Sequence, residues 1–136
     1  AWYRDGAIEV WAPTQAPDLG RIAAARVTDL SPDEVTIHTT FLGGGFGRRL
    51  TNDYIEEAAS VAYRVRKPVK LIWSREEDTR HDVYRPAMLH RMRASVSGDN
   101  VTGWHHQIVG PQILDWYVRN EAPAQYPLAP TFLSGT

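Results

Sequence analysis

The pattern of apolar and polar residues predicts strands and helices along most of the chain. Strict alternation over Val35–Leu42 places two sets of side chains on opposite faces, which is typical of a half-buried strand. The residues Ser97–Asn100 are a hairpin signal between two further strand patterns. Runs of strand-forming residues predict four strands besides the first, at Ala7–Trp11, Val69–Trp73, Met88–Val96 and Val101–Val109.

Helical spacing predicts helices between these strands. A short helix is expected from Asp18, as its N-cap, to about Val27. A longer helix is expected to begin at Thr51 or Asn52 and to end at about Arg66. Its predicted buried stripe consists of Tyr54, Ala58, Val61 and Val65. A capping-box pattern at Ser74–Glu77 predicts one more helical turn.

Together these elements predict an α/β (α+β) fold, with a mixed β-sheet and two or three helices. At its centre is a strand–glycine-rich loop–helix–strand unit whose two strands are expected to be neighbours in one sheet. A β-hairpin follows this unit. We assign residues 1–111 to one domain and expect residues 112–136 to form an irregular or extended tail.

Composition excludes several classes of protein. The chain has 136 residues, a formal net charge of −1 and no cysteine. The charge argues against nucleic-acid binding that relies on bulk electrostatics. Without cysteine, the chain has no disulfide, no thiol nucleophile and no thiolate to bind an iron–sulfur cluster. No stretch approaches the roughly twenty apolar residues of a membrane span, and the sequence leaves a cytoplasmic or periplasmic location open.

The run Phe41–Arg49 is the strongest candidate for a functional site. Three consecutive glycines (Gly43, Gly44 and Gly45) follow the predicted strand, so the main chain there can approach a ligand closely and adopt positive φ. Its amides, with those of the following helix and two arginines, are suited to bind an anion. A tight turn with solvated basic residues is the alternative. The spacing matches neither the dinucleotide fingerprint nor a P-loop.

Other catalytic patterns are missing from the sequence. No two histidines stand at the spacing of a zinc-protease helix, and no serine lies in a G-x-S-x-G elbow. His105 and His106 are adjacent on a predicted strand, so they point to opposite faces and do not chelate one ion together.

Three segments together resemble a known family, the molybdenum hydroxylases of the xanthine dehydrogenase/aldehyde oxidase type. They are Gly43–Arg49, the preceding Val10–Gln15 and the following Pro68–Asp78. The resemblance is to the large subunit, covers about residues 8–111 and makes this a partial chain. Tyr84–Ala87 is most similar to the branch of isoquinoline 1-oxidoreductase β subunits and bacterial aldehyde dehydrogenases.

The resemblance implies a role for particular residues. Gln15 matches the glutamine that hydrogen-bonds an oxygen ligand of molybdenum, and Phe46 matches the phenylalanine at the apical side of the metal. The implied pterin-contacting glycines are Gly44, Gly45 and Gly47. Arg48 stands where a donor reaches the phosphates. The implied cofactor is molybdopterin, as its cytosine dinucleotide in bacteria.

The chain also departs from the family. Leu50 occupies the position of the substrate-binding glutamate of the xanthine-type enzymes, which favours an N-heteroaromatic or aldehyde substrate over a purine. The family's catalytic base lies far beyond Thr136, so no catalytic residue is expected in this chain. The implied partners are an iron–sulfur subunit and the rest of the large subunit.

Two hypotheses follow. In the first, the chain is a fragment or free-standing derivative of a molybdenum hydroxylase subunit and is inactive alone. In the second, the fold is a reused anion- or nucleotide-binding module whose exposed apolar patches favour homo-oligomers.

Overall fold

A computed structural model describes residues 1–112. The chain divides into two compact units, residues 1–83 and a second unit that begins at Tyr84. The predicted tail of residues 112–136 lies outside the described residues except for Gln112.

The first unit contains a three-stranded mixed sheet in the order β1–β2–β3. β1 (Trp2–Arg4) pairs antiparallel with β2 (Ala7–Ala12), and β2 pairs parallel with β3 (Val35–Thr39). The parallel pair is joined by α1 (Pro17–Thr28), so these elements form a β–α–β unit. Alternate residues of β2 and β3 point into the core, as the period of a strand requires.

Two further helices belong to this unit. α2 (Asp53–Val65) packs against α1 and the sheet, and α3 (Arg75–Arg80) is a short helix capped by Ser74. The structure therefore confirms the α+β class with mixed strands and three helices among the described residues. The buried apolar core consists of Ile8, Val10, Ala12, Ala24, Ala25, Val35, Ile55, Ala59 and Ala62.

Local signals located the helix ends well. Asn52 occupies the N-cap position of α2, as predicted, although its side chain makes no cap hydrogen bond. α1 begins at Pro17, so the predicted N-cap, Asp18, lies inside the helix. Proline is favoured at the first helical position because it has no N–H group that would need an acceptor there. The Ser74 hydroxyl accepts a hydrogen bond from the Glu77 N–H at 3.2 Å, as the capping pattern predicted.

The predicted strand at Val69–Trp73 is wrong. The main chains of Ala1 and Val69 exchange two hydrogen bonds, each of 2.8 Å, but no ladder continues from that pair. The parallel neighbours in the sheet are instead β2 and β3, on either side of α1. Apolar β-formers favour an extended backbone, but a strand also needs a partner strand along its length.

The predicted buried stripe of α2 is also wrong in part. The helix buries Ile55, Ala58, Ala59 and Ala62, whereas Val61 and Val65 are exposed. The buried face differs from the predicted one because α2 packs against α1, β1 and β2 together. A Cβ added at Gly20 would lie 2.9 Å from Cδ1 of Ile55.

The second unit contains an antiparallel hairpin, as predicted. β4 (Leu89–Ser97) pairs with β5 (Asn100–Val109), and Leu89 lies opposite Val109. Among the described residues, no helix is long and apolar enough to span a membrane.

Candidate functional site

The glycine loop lies in the first unit, between β3 and α2. Gly43, Gly44 and Gly47 have φ values of 68°, 121° and 84°, which glycine adopts without a steric penalty. The loop ends in a short 3-10 turn, Arg48–Leu50. It therefore does not run directly into α2, and the first-turn amides of that helix are separated from the glycines.

Gln15, which follows β2, contacts this loop through its side chain. The side-chain Oε1 of Gln15 accepts a hydrogen bond from the main-chain N–H of Gly47 at 3.0 Å. The main-chain N–H of Gln15 donates a hydrogen bond to the Arg49 carbonyl at 2.9 Å. A Cβ added at Gly45 would lie 2.3 Å from the same Oε1. Only glycine at position 45 leaves room for this amide, so Gln15 and the glycine loop lie in direct contact.

The hydrogen bond to Gly47 determines what Gln15 still offers. Its side-chain oxygen already accepts a hydrogen bond from the Gly47 N–H, and this bond orients the plane of the side-chain amide. Its Nε2 makes no hydrogen bond within the described residues, so two donors are available to a ligand.

The loop amides divide into two groups. Arg48 and Arg49 donate their N–H groups to the Gly45 carbonyl at 2.9 and 3.4 Å. The N–H groups of Gly43, Gly44 and Gly45 have no acceptor in the part of the chain that the structure describes. These three amides are therefore main-chain donors of the loop that are left for an anion.

Phe46 has an unusual main chain. Its φ is 50°, a left-handed value that is rare for a large side chain and costs about 1–3 kcal/mol. Its side chain is 81% exposed, and a Cβ at Gly44 would lie 2.7 Å from the ring atom Cε2. The aromatic ring therefore lies over Gly44 at the surface of the loop, where burial provides no compensation for the backbone strain.

The Arg48 side chain is turned away from the glycines. Its guanidinium makes two hydrogen bonds to the Asp53 carboxylate, at 2.9 and 3.1 Å, and a further one to the Thr51 hydroxyl. Its Nε lies 2.6 Å from an Asp82 oxygen, within ion-pair distance although not in hydrogen-bond alignment. Burial acts to lower the pKa of Arg48, but the hydrogen bonds to Asp53 and the negative charges of Asp53 and Asp82 raise it above its usual value. Neither aspartate was singled out from the sequence as a partner of Arg48.

A cavity of about 780 Å³ is lined by Arg48 and Arg49, by residues of β2 and by the segment 69–75. Arg49 lies over the Tyr54 ring, 4.9 Å from its centroid, and the Tyr54 and Trp73 rings meet edge to face. Within residues 1–112, the residues lining the cavity include neither Gln15 nor any residue of Gly43–Gly47. The cavity and the Gln15 site are therefore separate features of this unit.

The hairpin of the second unit holds a histidine pair that the sequence reasoning missed. Nδ1 of His90 lies 2.9 Å from Nε2 of His106, and the two rings are stacked. The turn at Ser97–Asn100 by itself would pair His106 with Arg91, on the face opposite to His90. An irregularity between Ser95 and Val96 shifts the register by one residue and brings the two histidines to one face, and no sequence signal marked it.

Comparison with known proteins identifies similar sequences. Isoquinoline 1-oxidoreductase subunit beta of Brevundimonas diminuta is 39% identical over 94 residues, which are 69% of this chain and 12% of that protein. A membrane-bound aldehyde dehydrogenase (pyrroloquinoline-quinone) of Gluconacetobacter polyoxogenes is 34% identical over 109 residues, 79% of this chain and 14% of that protein. Xanthine dehydrogenase of Emericella nidulans is 35% identical over 77 residues, 54% of this chain and 6% of that protein.

The chain thus spans only 12–14% of the length of the first two of these curated relatives. No solved structure matches it. The family model described as a molybdopterin cofactor-binding domain matches residues 1–110, nearly all of the described chain. The chain therefore belongs to the family of molybdopterin cofactor-binding domains.

Proposed function

We propose that this chain supplies one wall of the molybdenum–pterin site of a larger oxidoreductase. Gln15, Gly44, Gly45, Phe46 and Gly47 would form this wall, and Gln15 and Phe46 would lie nearest the metal. The hydrogen bond between Gln15 and Gly47 carries the proposal, because it brings two segments of the family resemblance into one site. The family match over residues 1–110 supports molybdopterin as the ligand.

The donors of the site fit this cofactor. The open amides of Gly43–Gly45 and the Nε2 of Gln15 are all donors, which suits the oxygen ligands of a metal and the oxygens of a phosphate. When bound, the group would supply the redox centre at which a substrate carbon takes up a water-derived oxygen. Gln15 would donate a hydrogen bond from Nε2, and the Phe46 ring would exclude water beside Gly44.

Arg48 has a different part in the proposal. Because Asp53 and Asp82 already neutralise its guanidinium, it would support the loop and would reach a cofactor phosphate only through a remaining N–H. The cytosine dinucleotide form of the cofactor is proposed on the similarity to the bacterial relatives.

The substrate class and partners are proposed on the same similarity. The two first relatives are named for isoquinoline and aldehyde oxidation, and Leu50 lacks the carboxylate that would bind a purine. We propose an N-heteroaromatic or an aldehyde as the substrate, and an iron–sulfur subunit and the rest of the large subunit as partners. The family match does not favour the alternative of a reused anion-binding or self-assembling module.

The variant Gln15→Glu tests the role of Gln15. A glutamate retains the oxygen that accepts the Gly47 N–H but replaces both amide donors with an anionic oxygen. We expect the molybdopterin cofactor to raise the melting temperature of the 136-residue chain and to lose this effect in Gln15→Glu. Gln107→Glu, the same change on the hairpin, serves as the matched control and should retain the shift. Stabilisation by a mononucleotide but not by the cofactor would support the alternative instead.

A second experiment tests the proposal that the chain alone is inactive. With cofactor, an N-heterocycle or aldehyde and a dye as electron acceptor, we expect no turnover, because no residue here is proposed as the base. Light scattering on the same sample reports whether the chain forms homo-oligomers. Measurable turnover would contradict the proposed inactivity but would not contradict the proposed cofactor site.

A further inference from the structure

The hairpin of the second unit presents two histidines whose ring nitrogens face one another. Nδ1 of His90 and Nε2 of His106 are 2.9 Å apart, with the ring planes inclined by 29°. His90 lies opposite Ile108 and His106 lies opposite Met92, so the two imidazoles are diagonal neighbours on one face. The pairing of the two strands holds the imidazoles next to each other, so their contact does not depend on a flexible loop.

The distance between the two nitrogens suits a metal ion. Two nitrogen ligands about 2.1 Å from an ion and about 90° apart are about 3.0 Å from each other. In the hydrogen bond between them, one of the two nitrogens is the donor and the other is the acceptor. For both to present a lone pair, one ring has to move its proton to its other nitrogen, and no net proton is released.

The two faces of the hairpin differ in their charge. The face with the histidine pair carries uncharged neighbours, Met92 opposite His106 and Trp104 opposite Ala94. On the other face, His105 lies directly opposite Arg93. A fixed positive charge beside His105 repels a cation, whereas no strand residue on the His90 face does so.

We propose that His90 and His106 form a surface chelate for a divalent transition-metal ion, with Cu²⁺ or Ni²⁺ as the preferred class. Each histidine donates one nitrogen lone pair, and two water ligands of the hydrated ion leave. Cu²⁺ and Ni²⁺ accept imidazole ligands at right angles, and Cu²⁺ binds most tightly in the first-row series. This site is in a different unit from the Gln15 loop and does not depend on the proposed cofactor.

Calorimetric titration of the 136-residue chain with CuCl₂ and with NiCl₂ tests the proposal. We expect one site whose affinity falls by at least roughly tenfold in His90→Gln and in His106→Gln, because a chelate loses its effective concentration when either ligand is removed. The double variant, which has neither ligand, should bind at least as weakly as either single variant. The control His105→Gln should bind as the unchanged chain does.

Electron paramagnetic resonance of the Cu²⁺ sample provides a second readout, with two nitrogen ligands expected in the unchanged chain and fewer in either variant. Circular dichroism checks that each variant retains its strand content. Equal weakening by His105→Gln and His106→Gln, or an affinity unchanged in His90→Gln, would overturn the proposal. Neither result would bear on cofactor binding by Gln15.

Discussion

The side-chain oxygen of Gln15 accepts the main-chain N–H of Gly47 at 3.0 Å, across 32 positions of the sequence. This bond joins the loop after β2 to the loop after β3, at neighbouring ends of two parallel strands. In open α/β sheets, ligands bind at the carboxyl ends of the parallel strands. The bond also holds the amide so that its nitrogen is available to a ligand.

Gly45→Ala is predicted to displace Gln15. The added Cβ would lie 2.3 Å from Oε1 and 2.4 Å from Cδ of Gln15, so the side chain has to move. We expect a loss of about 1–3 kcal/mol in the free energy of unfolding, typical of overpacking. Urea denaturation measures this loss, and the amide chemical shift of Gly47 reports whether its bond to Gln15 is broken.

Gly43→Ala is the matched control for that prediction. A Cβ there meets open space, but the φ of 68° is unfavourable for alanine. We expect a loss of roughly 1 kcal/mol from backbone strain alone, with the Gly47 shift unchanged. If Gly43→Ala moves the Gly47 shift as much as Gly45→Ala does, the contact between Gly45 and Gln15 is not the cause.

Ile55→Ala is predicted to destabilise the first unit strongly. Ile55 of α2 is fully buried in the apolar core. Its truncation leaves a cavity and should lower the free energy of unfolding by about 2–5 kcal/mol. Val65→Ala on the same helix should change it by less than about 1 kcal/mol, because Val65 is 49% exposed. Thermal or urea unfolding of the two variants distinguishes the observed buried face from the one the sequence predicted.

Arg48 and Asp82 are predicted to be energetically coupled. Their ion pair connects the glycine loop to the residues just after α3, and the Arg48 side chain is only 19% exposed. A double-mutant cycle with Arg48→Met and Asp82→Asn should give a coupling of about 1 kcal/mol, reduced by the exposure of Asp82. The surface pair of Arg26 and Glu56 is the comparison and should give less than about 0.5 kcal/mol. Equal couplings would show that Arg48 gains nothing from its partial burial.

Glu9 is predicted to make stability depend on pH in the acid range. A hydrogen bond from His38, with help from Arg4, holds the pKa of the Glu9 carboxyl below its ordinary value of 4.5, although desolvation opposes this. A carboxyl whose pKa is lower in the folded state stabilises the fold above the unfolded pKa and stops doing so as pH falls through the folded one. The stability difference between the unchanged chain and Glu9→Gln should therefore reach its full size above the unfolded pKa of about 4.5 and shrink as the pH falls below that value.

Urea unfolding of both chains between pH 3 and pH 7 measures that difference. A constant difference across this range would mean that the contacts of Glu9 with His38 and Arg4 do not depend on its charge.

Much of the local structure could be predicted from the sequence. The ends of α2, the Ser74 cap and the hairpin all depend on residues within a few positions of one another, where propensity and capping act directly. The strand at Val69–Trp73 and the buried face of α2 could not be predicted in the same way. Both depend on distant neighbours, namely a partner strand and the surface of α1.

The candidate site shows the same division. The sequence by itself determined that a bare glycine run follows a strand, and the family resemblance drew attention to Gln15 and Phe46. Only the tertiary structure decided that Gln15 contacts Gly45 and Gly47, and that Arg48 pairs with Asp53 and Asp82. The physical reason is that backbone preference is a property of neighbouring residues. Hydrogen-bond and charge partners are chosen by the packing that brings distant segments together.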